Sequence, residues 1–270
     1  MFLNSNRIRI YTFMAERMRK YVVSGLGLVF LLHAGWLCAQ DVSVAAAADL
    51  QFAMQEIAAR FEKETGKKVA VSYGSSGNFF QQLQNGAPFD MFFSANLDYA
   101  KKLQEAGLSE PGSYYEYAQG KIVMWVRKDS KVDLGSGLQS LVAPSVSKIA
   151  IANPQHAPYG RAAVEAMQKA GVYEKVKDKL VLGENISQTA SFVVSGSADV
   201  GIVALSLALS PNMKNQGHYV EVPANSYRAI DQACVILKSS KNKEAALQFL
   251  AFIKSSATAE ILRKYGFEAH

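Results

Sequence analysis

Cysteine and histidine are scarce in this chain of 270 residues, which has two cysteines and four histidines. Cys38 falls in an N-terminal segment that we expect to be removed, so Cys234 would stand alone in the mature chain and no internal disulfide is expected. The histidines are scattered, and no spacing typical of a zinc site occurs. The sequence therefore predicts neither a metal centre nor a disulfide scaffold, and we expect no cofactor.

Glycine-rich nucleotide motifs are also absent. The first β-like run leads into "AAAADL" (45–50), which contains no glycine and so cannot carry the Gly-x-Gly-x-x-Gly fingerprint of dinucleotide-binding proteins. A second turn, "GSSGN" (74–78), has glycine but lacks the Lys-Ser/Thr pair of a P-loop. These absences argue against NTPase and NAD-dependent functions.

Basic charge is concentrated at the N-terminus. The chain has a formal net charge of +6, of which residues 1–39 hold +4, leaving about +2 for the rest. The remaining sequence has no basic cluster interleaved with aromatic residues. Nucleic acid is therefore not a predicted partner.

The first 39 residues have the arrangement of basic, apolar and cleavage segments that is typical of a secretory signal peptide. Arg17, Arg19 and Lys20 precede an apolar run, and the small residue Ala39 closes it at a plausible cleavage point. A membrane anchor is the alternative, although the apolar run is short for a spanning helix and is interrupted by small and polar residues. We predict that residues 1–39 are a signal peptide and that the protein is exported.

Beyond this segment, short β-like runs alternate with amphipathic helical patterns. After "DVSVAAA", apolar residues recur at steps of three and four from Leu50 to Phe61, which places them on one helical face. Asp49 is a natural N-cap for this helix, and Gly66 a natural stop. Asn96 is a natural N-cap for a later helix, "NLDYAKKLQEAG". Strands that alternate with helices predict α/β layers with a largely parallel sheet.

The strand–helix units fall into two groups, around residues 41–120 and 125–225. Two helical patterns at the C-terminus have no strands of their own, so we expect them to return and cover the first group. This predicts two lobes: residues 41–122 with 228–270, and residues 123–227. Ligands bind preferentially in the cleft between such lobes.

The turn "GSSG" places Ser75 and Ser76 between a strand and a helix. A helix start offers unpaired backbone N–H groups and a positive dipole end, which together suit an anion. Either serine could instead simply cap the helix. Helix starts recur after other strands, at "AAAADL", at "NPQHAPYGR" (153–161) and near Ile186, and no Lys or Arg lies in the first or last of these turns.

A secreted serine hydrolase is the alternative from a different functional class. It would use Ser76 as the nucleophile and His156 as the base. Asn78 occupies the position of the last glycine in the Gly-x-Ser-x-Gly elbow, which weakens this hypothesis.

The chain resembles the periplasmic molybdate-binding proteins that serve ABC transporters. The resemblance covers nearly all of residues 41–270 and is carried by "GSSGNFFQQLQNGAPFDMFFSA", "IANPQHAPYGRAAVEAMQKAG", "ADVGIVALS" and "TAEILRKYGF". It implies a type II periplasmic binding fold, with two α/β lobes joined by two crossover strands and the ligand in the cleft between them. It further implies a monomeric periplasmic receptor, without enzymatic activity, that captures molybdate or tungstate and delivers it to a membrane permease.

In this family serine hydroxyls and backbone N–H groups bind the oxyanion. Carried over by position, the resemblance implies a ligand site that consists of Ala48, Asp49, Ser75, Ser76, Tyr159 and Ile186.

Two positions depart from the family pattern. Many members have serine where this chain has Asp49, and we expect its carboxylate to turn away and cap its own helix. Some members have a tyrosine where this chain has Ala204, and the Tyr159 hydroxyl is a candidate replacement for that donor. Another tetrahedral oxyanion, such as sulfate or phosphate, therefore stays open as the ligand, the more so because phosphate carries a proton that Asp49 could accept.

Overall fold

Two β-sheets organise residues 41–270, the part of the chain that this computed structural model describes. The predicted signal peptide, residues 1–39, lies outside the described residues. The strands, in chain order, are β1 (Val42–Ala47), β2 (Val69–Gly74), β3 (Met91–Ser94), β4 (Tyr115–Gly120), β5 (Ile122–Arg127), β6 (Ile149–Ala152), β7 (Leu180–Gly183), β8 (Val200–Ala204), β9 (Gly217–Glu221), β10 (Ile230–Ile236) and β11 (Glu268–Ala269).

Helices connect these strands and cover the sheets. They are α1 (Gln51–Thr65), α2 (Ser76–Gln84), α3 (Leu97–Glu105), α4 (Pro158–Lys169), α5 (Tyr173–Val176), α6 (Ile186–Val194), α7 (Leu205–Ala208), α8 (Lys243–Ile253) and α9 (Ser256–Lys264). Short 3-10 turns lie at Ala48–Leu50, Gly137–Val142, Lys177–Lys179 and Ala224–Ser226.

The first lobe is built on a six-stranded sheet with the order β11-β4-β10-β3-β1-β2. Strand β1 lies parallel to both β2 and β3, and β10 runs antiparallel to β3 and β4. The second lobe has a five-stranded sheet with the order β7-β6-β8-β5-β9. Each sheet is thus mixed, with parallel strands where helices connect them and antiparallel strands near the lobe boundary. The predicted two-lobe α/β fold is confirmed.

The chain passes between the lobes twice. The first sheet draws on residues 42–120 and 230–269, and the second on residues 122–221. Only Lys121 separates β4 from β5, so the first passage is a nearly continuous strand. The return from β9 to β10 runs through the 3-10 turn at Ala224–Ser226, so it is less regular than the crossover strand we predicted.

The C-terminal helices α8 and α9 pack against the first sheet, as predicted. Phe249 of α8 is fully buried and contacts the rings of Phe61 and Phe93, with ring centroids 5.0 Å and 6.2 Å away. Burying a phenylalanine of this kind is worth about 1.5–3 kcal/mol, so these rings anchor α8 to the first lobe. No single helix among residues 41–270 is long and apolar enough to span a membrane; α8 and α9 pass that test only as a pair bent by 65°.

Most predicted helix boundaries are present, but one cap is wrong. Asn96 caps α3 by accepting from the Asp98 N–H at 2.7 Å, and Gly66 ends α1 in the left-handed conformation. Asp49 does not cap the helix that follows it. It lies inside the 3-10 turn Ala48–Leu50, and α1 begins without a side-chain cap. The Asp49 side chain is used for longer-range hydrogen bonds instead.

Candidate functional site

The four predicted helix starts meet at the seam between the lobes. The 3-10 turn before α1 and the start of α2 follow strands of the first lobe, and α4 and α6 follow strands of the second. All six residues of the predicted ligand site are buried: Ala48, Asp49, Ser75, Ser76, Tyr159 and Ile186.

Helix α2 touches the second lobe directly. The Gly77 N–H donates to the backbone oxygen of His156 at 2.9 Å. The approach is so close that a Cβ on Gly77 would lie 2.6 Å from that oxygen. The Ser75 hydroxyl is hydrogen-bonded to Nδ1 of the same histidine at 2.9 Å. Because these contacts join opposite lobes, the cleft is closed at the start of α2.

Helix α6 meets the turn that precedes α1 in the same way. The Ser187 hydroxyl lies 3.0 Å from the Ala48 oxygen and 2.9 Å from Oε1 of Gln51, and the Ser206 hydroxyl donates to the Asp49 oxygen at 2.8 Å. The bonds to Ala48 and Asp49 occupy backbone carbonyls, and the bond to Gln51 occupies a side-chain oxygen. The first N–H groups of a helix have no partner within the helix. Those of Gly77, Asn78 and Gln188 are bonded to His156, Ser75 and Asn185. Those of Tyr159 and Ile186 have no partner among the described residues, so they can donate to a ligand.

Ser75 and Ser76 have different partners. Ser75 is the N-cap of α2, and its hydroxyl also accepts from the Asn78 N–H at 3.4 Å. The Ser76 hydroxyl accepts from the Ala95 N–H at 3.0 Å, which leaves its own hydrogen free to donate. The geometry thus favours Ser76 as a ligand donor and gives Ser75 a capping role that the sequence left open.

Asp49 joins the lobes through a buried side-chain network. Its Oδ2 accepts from the Tyr159 hydroxyl at 2.9 Å and from the Gln232 amide at 2.7 Å. Behind it, the Tyr117 hydroxyl donates to Oε1 of Gln232 at 2.7 Å. The other carboxylate oxygen of Asp49, Oδ1, is buried and has no hydrogen-bond partner among the described residues.

Burial dominates the electrostatics of this carboxylate. Loss of contact with water raises the pKa of Asp49 to about 6, although the hydrogen bonds from Gln232 and Tyr159 work to lower it. Burial and the nearby Asp49 charge hold the pKa of the Tyr159 hydroxyl well above its ordinary value. Asp49 therefore changes charge close to neutral pH, whereas Tyr159 stays a neutral donor.

Two expectations about this network are wrong. The Asp49 carboxylate turns toward Tyr159 and Gln232 instead of capping its own helix. The Tyr159 hydroxyl has one hydrogen, which it donates to Asp49, so it does not replace the donor missing at Ala204. Tyr159 can contribute its backbone N–H at the start of α4, as the resemblance implies.

The residue pair expected for a hydrolase is not formed. His156 is bonded to Ser75, whereas Ser76 is bonded to Ala95. On its other side, Nε2 of His156 lies 3.7 Å from a carboxylate oxygen of Glu184, too far for a hydrogen bond. Ser75 and His156 also belong to opposite lobes, so opening of the cleft would separate them. Among residues 41–270, no group of three or more His, Cys, Asp and Glu side chains is placed to hold a metal ion.

Sequence reasoning missed the residues that connect the lobes, above all Gln232 and Ser206. One signal was available. Gln232 lies within the apolar run of β10, and a glutamine is rarely fully buried unless its amide is hydrogen-bonded. Its side-chain partners, however, are 73 to 183 residues away along the chain, so only the fold reveals them.

Residues 42–268 match the family described as bacterial extracellular solute-binding protein. The chain belongs to this family. This solute-binding protein is 39% identical over 244 residues to the molybdate-binding protein ModA of Azotobacter vinelandii, covering 89% of this chain and 96% of that protein. It is 41% identical over 229 residues to ModA of Rhodobacter capsulatus, covering 85% and 88%.

A solved structure agrees with these sequence relatives. The periplasmic molybdate-binding protein of Azotobacter vinelandii superposes with a TM-score of 0.79 at 36% identity, covering 84% of this solute-binding protein and 98% of the solved chain. The family resemblance inferred from the sequence is confirmed.

Proposed function

We propose that this solute-binding protein captures molybdate in the cleft between its lobes and delivers it to the membrane permease of an ABC transporter. The proposal includes a monomeric receptor that works in the periplasm, without a cofactor and without an enzymatic reaction. Its relatives in Azotobacter vinelandii and Rhodobacter capsulatus carry the name molybdate-binding protein, and the solved relative is described as periplasmic.

One observation carries the proposal: helix starts from both lobes meet at one buried seam. The donors we assign to the oxyanion are the N–H groups of Ala48, Asp49, Tyr159 and Ile186 and the hydroxyl of Ser76. Ser75 stands beside them as the α2 cap. None of these donors is a cation. Neutral donors held by two rigid lobes would select an anion by its size and hydrogen-bond geometry, and tungstate should bind comparably because it is nearly the same size as molybdate.

A second candidate is another tetrahedral oxyanion, and Asp49 is the observation that favours it. Its Oδ1 is buried without a partner and could accept a hydrogen bond from an anion that brings its own proton, such as hydrogen phosphate. Sulfate brings no proton near neutral pH and has no such advantage.

Thermal unfolding in the presence of molybdate, tungstate, sulfate, phosphate and chromate tests the proposal. A ligand at about a hundred times its Kd should raise the free energy of unfolding by roughly 2.7 kcal/mol. We expect molybdate and tungstate to raise the Tm at concentrations where sulfate does not. A shift with phosphate or sulfate but none with molybdate would overturn the assignment to molybdate.

A further inference from the structure

Asp49 lies in the site that we propose for a dianion. If the Asp49 N–H donates to the oxyanion, covalent geometry keeps the carboxylate of the same residue within about 5 Å of that nitrogen. The anion oxygen would lie about 2.9 Å from the same nitrogen. The carboxylate is therefore within about 8 Å of the ligand wherever the side chain points.

Hydrogen bonds, but no cation of residues 41–270, offset the negative charge of Asp49. The titratable groups that face it are Tyr159 of α4 and Tyr117 of β4, with Cys234 of β10 next to Tyr117. Burial raises the pKa of all three, so they are neutral at physiological pH. No Lys or Arg among the described residues contributes to the pKa of Asp49. Charge repulsion at such a site is about fourfold stronger than in bulk water.

The two oxygens of the carboxylate are not equivalent. Oδ2 accepts two hydrogen bonds, from Tyr159 and Gln232, and so has the environment of an unprotonated oxygen. Oδ1 is buried and has no partner among the described residues. A proton on Oδ1 would remove the charge without disturbing the network that joins the lobes.

We propose that Asp49 takes up one proton, on Oδ1, when the oxyanion binds, so that the cleft captures a dianion together with a proton. The proton comes from solvent and no bond of the ligand is made or broken. Asp49 thereby sets both the pH range of capture and the charge of the bound complex. This inference rests on the proposed function.

The pH dependence has a definite sign. Below the pKa of about 6 for the free protein, Asp49 is already protonated and binding needs no proton. Above it, each pH unit makes the proton harder to acquire, so the Kd rises toward tenfold per unit. Between pH 6 and pH 8 the Kd should rise about 50-fold if the bound carboxyl keeps its proton.

Calorimetric titration of the purified protein with molybdate at pH 6, 7 and 8, in two buffers of different ionisation enthalpy, tests the proposal. For the wild type we expect the rise in Kd, and at pH 8 a difference in heat between the buffers that corresponds to one proton. Asp49→Asn should show neither effect and should bind more tightly than the wild type at pH 8. Asp98→Asn, on the exposed side of α3, should keep the wild-type profile.

The outcomes distinguish failure of the proton-uptake proposal from failure of the proposed function. Wild-type binding with a Kd that does not change from pH 6 to pH 8 and no buffer-dependent heat would overturn the proton uptake and leave the proposed function standing. The same pH profile in Asp49→Asn as in the wild type would overturn the assignment to Asp49. Absence of molybdate binding at every pH would overturn the proposed function and this inference together. The wild-type titrations test the proton uptake even if Asp49→Asn fails to fold.

Discussion

Asp49 is the residue whose chemistry departs most from its neighbours in the cleft. An aspartate that begins a helix pattern is ordinarily interpreted as a cap, because its side chain competes well for the first N–H groups. Here its partners are Tyr159 and Gln232, which lie 110 and 183 residues further along the chain. No local pattern could have predicted this network, although the residue itself was identified from the sequence.

The raised pKa of Asp49 predicts an unusual dependence of stability on pH. A carboxyl that titrates at about 6 in the folded protein and near 3.9 when unfolded favours the folded state in its protonated form. This contribution is present below pH 4 and is lost as the pH rises to 6, at a cost of about 3 kcal/mol. Asp49→Asn removes the charge and should raise the free energy of unfolding at pH 8, by up to about that amount.

Asp90→Asn is the matched control, and it should have the opposite effect. Burial works to raise the pKa of Asp90, but hydrogen bonds from Ser240, Ser43 and Asn242 outweigh it and hold the pKa below its usual value. Its charge therefore stabilises the fold at pH 8. Urea unfolding at pH 8 without ligand compares the two variants, and a larger loss of stability in Asp49→Asn than in Asp90→Asn would contradict this account.

Ser76 and Ser75 offer a matched pair for ligand binding. Ser76→Ala removes the hydroxyl whose hydrogen is free, and it should weaken molybdate binding by about 1–3 kcal/mol. Ser75→Ala removes the N-cap of α2 and one hydrogen bond to His156 of the opposite lobe. It should lower stability by about 1 kcal/mol and weaken binding less than Ser76→Ala does. Equilibrium titration together with ligand-free unfolding separates the two effects. Equal losses of affinity in both variants would show that the assignment of Ser76 as donor is wrong.

At the scale of helices and strands, the sequence best predicted the boundaries that local side-chain chemistry determines. Asn96 caps its helix and Gly66 ends one in a left-handed conformation, and both were predicted from residue type. The 3-10 turn at Ala48–Leu50 and the short strand β11 were not predicted. Both depend on contacts between distant segments, the turn on the second lobe and β11 on β4.

Gly77 of α2 allows the two lobes to close against each other. Alanine is a better helix former than glycine, so Gly77→Ala should not harm α2 itself. A Cβ at this position would lie 2.6 Å from the backbone oxygen of His156 in the opposite lobe. We expect a weaker affinity for molybdate and an unchanged or higher Tm without ligand. Gln84→Ala, exposed on the same helix, is the control and should leave the affinity unchanged. Wild-type affinity in Gly77→Ala would mean that binding does not require this contact.

At the scale of the whole molecule, the two lobes could be predicted because strands and helices alternate in two groups. The contact between the lobes could not. It depends on hydrogen bonds between residues of opposite lobes, among them Gly77 with His156 and Ser206 with Asp49. The near-continuous passage from β4 to β5 and the irregular return to β10 are the places where a hinge motion would act.

The central claim is that helix starts from both lobes hold one tetrahedral oxyanion. A crystal structure of the protein grown with molybdate, with anomalous diffraction data that locate the molybdenum, tests it most directly. The account predicts one strong peak in the seam, with oxygens about 2.7–3.1 Å from the N–H groups of Ala48, Asp49, Tyr159 and Ile186 and from the Ser76 hydroxyl. A peak elsewhere, or a closed and empty seam at saturating molybdate, would contradict it.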